Sequence, residues 1–284
     1  MARQQALHHI SPRQLPRINH VTMEQPWQWL RAGWHDLWRH PAESIGYGVL
    51  IAAAVAFIVL VGVNTRWYDV VLYLLSGFVL LAPVAALGFY DMSRRFAAGE
   101  PVSLGAALRA WGANPKGTLG MGAIMVLLLV TWFMISIQLI ALLSGGLEDV
   151  GALLSGGGAE STGAYVAFFV DNTWMALIPG FFLTGLVAVL VAFGFTAVSI
   201  PLLQENPGLD TITALVASWK AVTRNWRPML LWAVIIAVVT AIGMAAGIAG
   251  LALTMPLLGH ASWFAYRDTL GEWQEIEQPK AEYY

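Results

Sequence analysis

Residues 229–266 run for nearly forty positions without one Asp, Glu, Lys or Arg. A helix needs about 20 mostly apolar residues to cross the hydrocarbon of a bilayer. At about 1.5 Å per residue the stretch is too long for one crossing and just long enough for two. Gly247 to Gly250 offer the break, because glycine tolerates the backbone of a tight turn. Further apolar runs lie near 44–63, 70–90, 117–143 and 173–200. With 229–247 and 250–266 they predict an all-α membrane protein of six spans. Composition agrees: 58% of the chain is hydrophobic, 11% is charged and the mean hydropathy is +0.65. Soluble domains carry about 25% charged residues, so a soluble enzyme or a disordered scaffold is excluded. The net charge of −2 leaves no basic face for nucleic acid, and the absence of cysteine removes disulfides, thiolate metal sites and a Cys nucleophile.

Basic residues set the expected topology. Arg3, Arg13, Arg17, Arg31 and Arg39 precede the first span, and Arg94, Arg95, Arg109 and Lys116 join spans two and three. Lys220, Arg224 and Arg227 join spans four and five, and Arg267 and Lys280 follow the last. Of 15 basic residues only Arg66 falls on the other side, which predicts cytoplasmic termini. The 144–172 loop, acidic at Glu148, Asp149, Glu160 and Asp171, then faces outward. Residues 1–22 read as a flexible cytoplasmic terminus, 23–267 as one membrane domain and 268–284 as an acidic cytoplasmic tail. Residues 1–42 hold no continuous apolar core, so no cleavable signal peptide is expected and the first span serves as the insertion signal.

A pattern recurs three times: Trp on a short amphipathic stretch, then Pro, then a span. It occurs at Trp34 to Pro41, at Trp111 to Pro115 and at Trp219 to Pro228. Each returning span carries a Pro, at Pro83, Pro201 and Pro256, expected as helix breaks or hinges. The chain therefore reads as three hairpins, each preceded by a cytoplasmic interfacial helix. The first such helix, 23–40, places Trp27, Leu30, Trp34, Leu37 and Trp38 on one face, opposite Gln28, Arg31, His35 and Arg39. With Trp111, Trp219 and Trp263 these are the expected residues for contact with the membrane interface or a partner. Ser103 and Asp210 suit the N-caps of the second and third amphipathic helices. Gly243, Gly247 and Gly250 form small-residue notches for helix packing.

Charged residues inside a membrane mark ion paths and relays, and no expected span has one at its centre. His260 is the single membrane histidine. It reads either as a haem ligand, metal ligand or proton carrier, or as a neutral histidine bonded to a neighbouring helix, such as at a carbonyl freed by Pro256. One histidine cannot build a four-ligand metal site in the spans, and a bis-His haem would need a second chain. No Walker loop, nucleophile elbow or HExxH is present, so neither catalytic residues nor a metal site are expected.

The opening Trp27-x-Trp29-Leu30-x-x-Gly33-Trp34-x-Asp36, the Ser44-Ile-x-Tyr47-Gly48 start of the first span and the closing Gly259-His260-Ala-Ser-Trp263-x-x-Tyr266-Arg267 resemble an uncharacterised family of six-span proteobacterial inner-membrane proteins. The resemblance runs over residues 20–275. Some members carry a cytochrome c oxidase subunit I label, and many have a second His where this chain has Phe264. A haem–copper catalytic subunit needs several intramembrane His ligands, and this chain has one. The resemblance therefore implies at most an accessory or assembly partner of such a complex. The leading expectation is a non-enzymatic accessory, assembly or scaffold component that contacts lipid and either a membrane-protein partner or a second copy of itself. The alternatives are a transporter or channel for an amphipathic or lipid-like molecule and, more weakly, a haem-binding redox protein through His260.

Overall fold

The computed structural model describes residues 14–65, 77–78, 82–144 and 174–275. Its elements run β1 (Gln14–Ile18), α1 (Gln25–Arg39), α2 (Pro41–Thr65), α3 (Leu87–Ala98), α4 (Leu104–Arg109), α5 (Pro115–Ser144) and α6 (Trp174–Thr196). They continue with α7 (Ser199–Glu205), α8 (Thr211–Arg224), α9 (Trp226–Ala245), α10 (Leu251–Thr269) and β2 (Leu270–Glu275). Five helical stretches among the described residues are long and apolar enough to cross a membrane: Pro41–Gly62, Pro115–Leu139, Phe182–Glu205, Trp226–Ala245 and Ile248–Thr269. The expected second span, 70–90, and the 144–172 loop lie largely outside the described residues.

Local chemistry sets the element ends. Pro41 and Pro115 open α2 and α5, where a missing N–H costs nothing. Ser103 Oγ accepts the Ala106 N–H at 3.2 Å, and Asp210 Oδ1 accepts the Thr213 N–H at 2.9 Å, as N-caps of α4 and α8. Partial burial pushes the Asp210 carboxyl up, but hydrogen bonds from Thr213 outweigh it and hold the group below the usual carboxylate range. Asn114 ties the start of α5 to α7 and the loop after it, donating to the carbonyls of Leu203, Asn206 and Leu209 at 3.1–3.2 Å.

The chain divides into two compact units. The first comprises 1–52, 83–121 and 194–284 and contains every short helix among the described residues. Its core holds Trp29, Trp232 and Trp263, each at most 2% exposed, with Phe89, Leu37 and Met92. The second comprises 53–82 and 122–193. There Gly77 faces Leu129 and Gly180 faces Leu139, while Phe57 (67%), Leu127 (65%) and Phe182 (69%) stay exposed. Apolar surface on that scale belongs against lipid.

Residues expected in the free termini form structure. β1 and β2 pair antiparallel in the register Gln14↔Glu275, Leu15↔Gln274, Pro16↔Trp273 and Ile18↔Leu270, with an irregularity between Pro16 and Ile18. A strand proline lacks the ladder N–H and is confined to such an edge position. The ribbon is anchored by polar chemistry. Asn19 donates its backbone N–H to the Thr269 carbonyl at 2.9 Å, and Asn225 Nδ2 donates to the Asn19 carbonyl at 2.9 Å.

The prolines behave differently from one another. Helical residues 82–85 give way to a turn at Ala86 before α3, and α6 gives way to a turn at 197–198 before α7. Polar side chains cap both breaks. Tyr47 Oη donates to the Ala85 carbonyl at 3.0 Å and Gln204 Nε2 to the Leu87 carbonyl at 3.3 Å. Ser218 Oγ accepts the Val198 N–H at 3.3 Å and donates to the Gly194 carbonyl at 2.9 Å. Pro256, expected as a third hinge, lies inside the unbroken helix α10. The Ala252 carbonyl that it frees faces the backbone of Gly48, the one residue whose missing Cβ leaves room there.

Gly33 seats α1 against α10. A Cβ there would lie 2.6 Å from the Ala261 nitrogen and 2.7 Å from the Leu257 carbonyl oxygen, so α1 rests on the backbone of α10. Gly33→Ala must separate the two helices and is expected to lower stability by about 1–3 kcal/mol. Gly46→Ala, with nothing within 4 Å of its Cβ, is expected to be neutral or mildly stabilising. Thermal unfolding of the two variants in detergent checks this; equal midpoints contradict the contact.

Candidate functional site

Helix α1 has three faces, not the two expected. Pro26, Trp29, Gly33, Asp36 and Leu37 are buried, so Leu37 belongs to the core and not to the exposed aromatic face. Trp27, Trp34 and Trp38 form an exposed stripe at steps of seven and four, while Gln28, His35 and Arg39 form a polar stripe. Trp34 and Trp38 meet edge to face at 5.6 Å. Trp263, also expected at an interface, is 2% exposed and sits in the core. Trp29 and the half-exposed Trp226, which the sequence pattern passed over, take core and surface places.

The buried face delivers Asp36 to a polar chain built by four helices. Ser93 of α3 donates its hydroxyl to Asp36 Oδ2 at 2.8 Å. Ser93 Oγ also lies 2.8 Å from Nδ1 of His260 in α10, and Nε2 of that ring lies 3.0 Å from Ser44 Oγ in α2. Because the Ser93 proton goes to Asp36, the consistent assignment has Nδ1–H donating to Ser93 and Nε2 accepting from Ser44. All four residues are buried, with His260 and Ser44 at 0% exposure. Phe89 and Phe96 close over the imidazole at 5.5 and 6.0 Å between ring centres, and Gly259 lets the Phe89 ring approach. Burial pushes the Asp36 carboxyl above the usual carboxylate range, against the Ser93 hydrogen bond and the charge of Arg39.

An axial ligand needs a free imidazole lone pair and an open face above it. His260 has both nitrogens engaged and both sides packed, so its surroundings do not fit a haem. Nor does it bond to a carbonyl freed by Pro256, since serine hydroxyls serve it instead. Among the described residues no group of three or more His, Cys, Asp or Glu is arranged to hold a metal.

Several other charges of the first unit are paired. Asp91 receives Arg94 Nη2 at 2.7 Å and Arg95 Nε at 2.6 Å, and Glu100 lies 3.7 and 3.3 Å from the same two arginines. Trp29 Nε1 donates to Asp268 at 2.7 Å and Tyr266 Oη to Glu205 at 2.6 Å. In the last hairpin Gly243 faces the Thr254 hydroxyl and Gly250 packs on the Gly243 carbonyl. Gly247 instead supplies a turn at φ +83°. Half-exposed Trp111 donates to Tyr47 Oη at 2.9 Å, and Trp219, also half-exposed, rests on Gly194 and Phe195. Trp226 carries Arg227 over its ring at 5.1 Å.

Asp36 binds its proton more tightly folded than unfolded, so protonation favours the fold. Against Asp36→Asn, the wild type is expected to gain stability as pH falls from the raised folded value towards about 3.9, and to hold that gain below it. Melting both proteins between neutral and acid pH checks the sign. A wild type that loses ground to the variant on acidification contradicts it.

No curated protein and no solved structure matches the chain. The three sequence motifs that carry the resemblance lie outside the one range for which a family model matches. Residues 70–205 match the family described as Predicted integral membrane protein (DUF2189), an uncharacterised membrane family, and with five helices among the described residues long and apolar enough to cross a bilayer the chain is an integral membrane protein.

Proposed function

We propose that this chain is a non-enzymatic accessory, assembly or scaffold component of the bacterial inner membrane, with its short helices and both termini on the cytoplasmic side. The observation that carries this reading is where its chemistry points. The buried titratable cluster around His260 is closed on itself, whereas Trp27, Trp34, Trp38, Trp111, Trp219 and Trp226 are 42–57% exposed on the unit that holds the short helices. Indoles presented this way suit a headgroup-level surface and a partner seated there. The excess of basic residues in the same loops supports the cytoplasmic assignment. The threefold order of short helix, span and returning span supports a scaffold of three hairpins, and the oxidase label among resembling proteins makes a respiratory complex the first partner class to look for.

Affinity purification from native membranes in mild detergent is expected to recover one membrane protein in near-stoichiometric yield. Trp38→Ala combined with Trp219→Ala is expected to release it while the chain still folds and unfolds in one cooperative transition. Recovery of the chain alone, or full retention by the double variant, contradicts the proposal.

A second reading, a carrier for an amphipathic molecule, draws on the two broken helices at Ala86 and at 197–198. Broken helices line many transport sites, and here side-chain hydroxyls and an amide stand in for the missing backbone bonds. On this reading proteoliposomes show substrate-dependent flux that falls when Ser218→Ala removes the cap of the second break. Absence of flux across lipid-like and zwitterionic solutes contradicts it.

A further inference from the structure

Beside the closed histidine cluster, the first unit has an open groove of about 520 Å³ lined by Trp27, Gln28, Leu30, Arg31, Trp34 and Leu257. Its volume lies in the range of small-ligand sites, about 300–1,000 Å³. The lining is mostly apolar, with Trp27, Leu30, Trp34 and Leu257, and its polar members, Arg31 and Gln28, carry a guanidinium and an amide and no carboxylate. Arg31 forms no ion pair among the described residues, unlike Arg94, Arg95 and Arg267 of the same unit. One wall is Leu257 of α10, a helix apolar enough to cross a membrane, and Leu253, one turn earlier, is 39% exposed. The groove therefore joins hydrogen-bond donors and a positive charge at one side to a lipid-facing apolar helix at the other.

We infer that this groove between α1 and α10 binds an anionic phospholipid, with the headgroup phosphate on Arg31 and an acyl chain along Leu257 and Leu253. A phosphate oxygen accepts from the guanidinium and from the flanking indoles, which a neutral apolar ligand does not use. The apolar wall favours a lipid over a free phosphate or an acidic peptide, because only the lipid covers Leu257 and Leu253 together with Arg31. Basic grooves between membrane helices on the cytoplasmic side are suited to anionic headgroups. The inference rests on the proposed function only in placing the short helices at headgroup level.

The test uses the full chain reconstituted in vesicles of equal parts phosphatidylglycerol and phosphatidylcholine, re-extracted in mild detergent, with retained lipids counted by native mass spectrometry. The wild type is expected to retain phosphatidylglycerol over phosphatidylcholine. Arg31→Gln is expected to lower that ratio about fivefold, the equivalent of about 1 kcal/mol for one surface cation. Arg39→Gln removes the same charge from the polar stripe and is expected to leave the ratio unchanged. Equal retention of the two lipids by the wild type, retention of neither, or the same loss in both variants overturns the inference. These outcomes leave the partner experiment unaffected, because Trp38 and Trp219 do not line the groove.

Discussion

Four helices meet at one imidazole. His260 reaches α2 through Ser44 and α3 through Ser93, and Ser93 carries the chain on to Asp36 of α1. In an apolar interior each of these groups is costly unless it is bonded, and breaking one link leaves the others short of a partner. The clasp works only because the helices approach closely. Gly33 seats α1 on the backbone of α10, Gly48 seats α2 on the Ala252 carbonyl, and Gly259 admits the Phe89 ring. Glycine contacts bring the backbones together, and the polar chain fixes which residues face each other.

The clasp also separates structure from surface chemistry in the first unit. Several of its acids are matched by internal donors: Asp91 by Arg94 and Arg95, Asp268 by Trp29 and Gln25, Glu205 by Tyr266 and Arg267. What remains outward is a set of indoles and the arginines beside them, including Arg31 in its groove and Arg227 over Trp226. Such a surface is built for contact with headgroups and proteins. The capped breaks after Pro83 and before Pro201 show the same economy of hydrogen bonding: at both, side chains from other helices occupy the orphaned backbone groups.

The sequence reading succeeded where a signal is local. Five of the apolar runs coincide with helices long and apolar enough to cross among the described residues, prolines mark the first turns of α2 and α5, and Ser103 and Asp210 cap the helices they were expected to cap. It failed where tertiary contact decides. On α1, hydrophobicity groups Leu37 with the tryptophans, yet the buried face is set by Gly33 and Asp36, which no hydropathy pattern marks as core. His260 was noticed, but its partners were not, because a serine in a helix carries no sequence signal of what it will meet. The recurrence of glycine at Gly33, Gly48 and Gly259 was the available hint that helices converge there. Proline alone did not predict a break either: Pro201 follows one and Pro256 does not, the difference being the Ser218 hydroxyl that stabilises the interruption near Pro201. The β1–β2 ribbon escaped because five residues around Pro16 have no strand alternation, and only pairing with the other terminus orders them.

The claim that His260 is a structural clasp and not a reactive group is tested most directly by its tautomer. Nitrogen-15 NMR of histidine-labelled protein, with His8, His9, His20, His35 and His40 replaced, observes this one ring. The account predicts a neutral imidazole with the proton on Nδ1, donated to Ser93, and an unprotonated Nε2 accepting from Ser44. A proton on Nε2, or a doubly protonated ring, would contradict it and return His260 to the list of residues that carry chemistry.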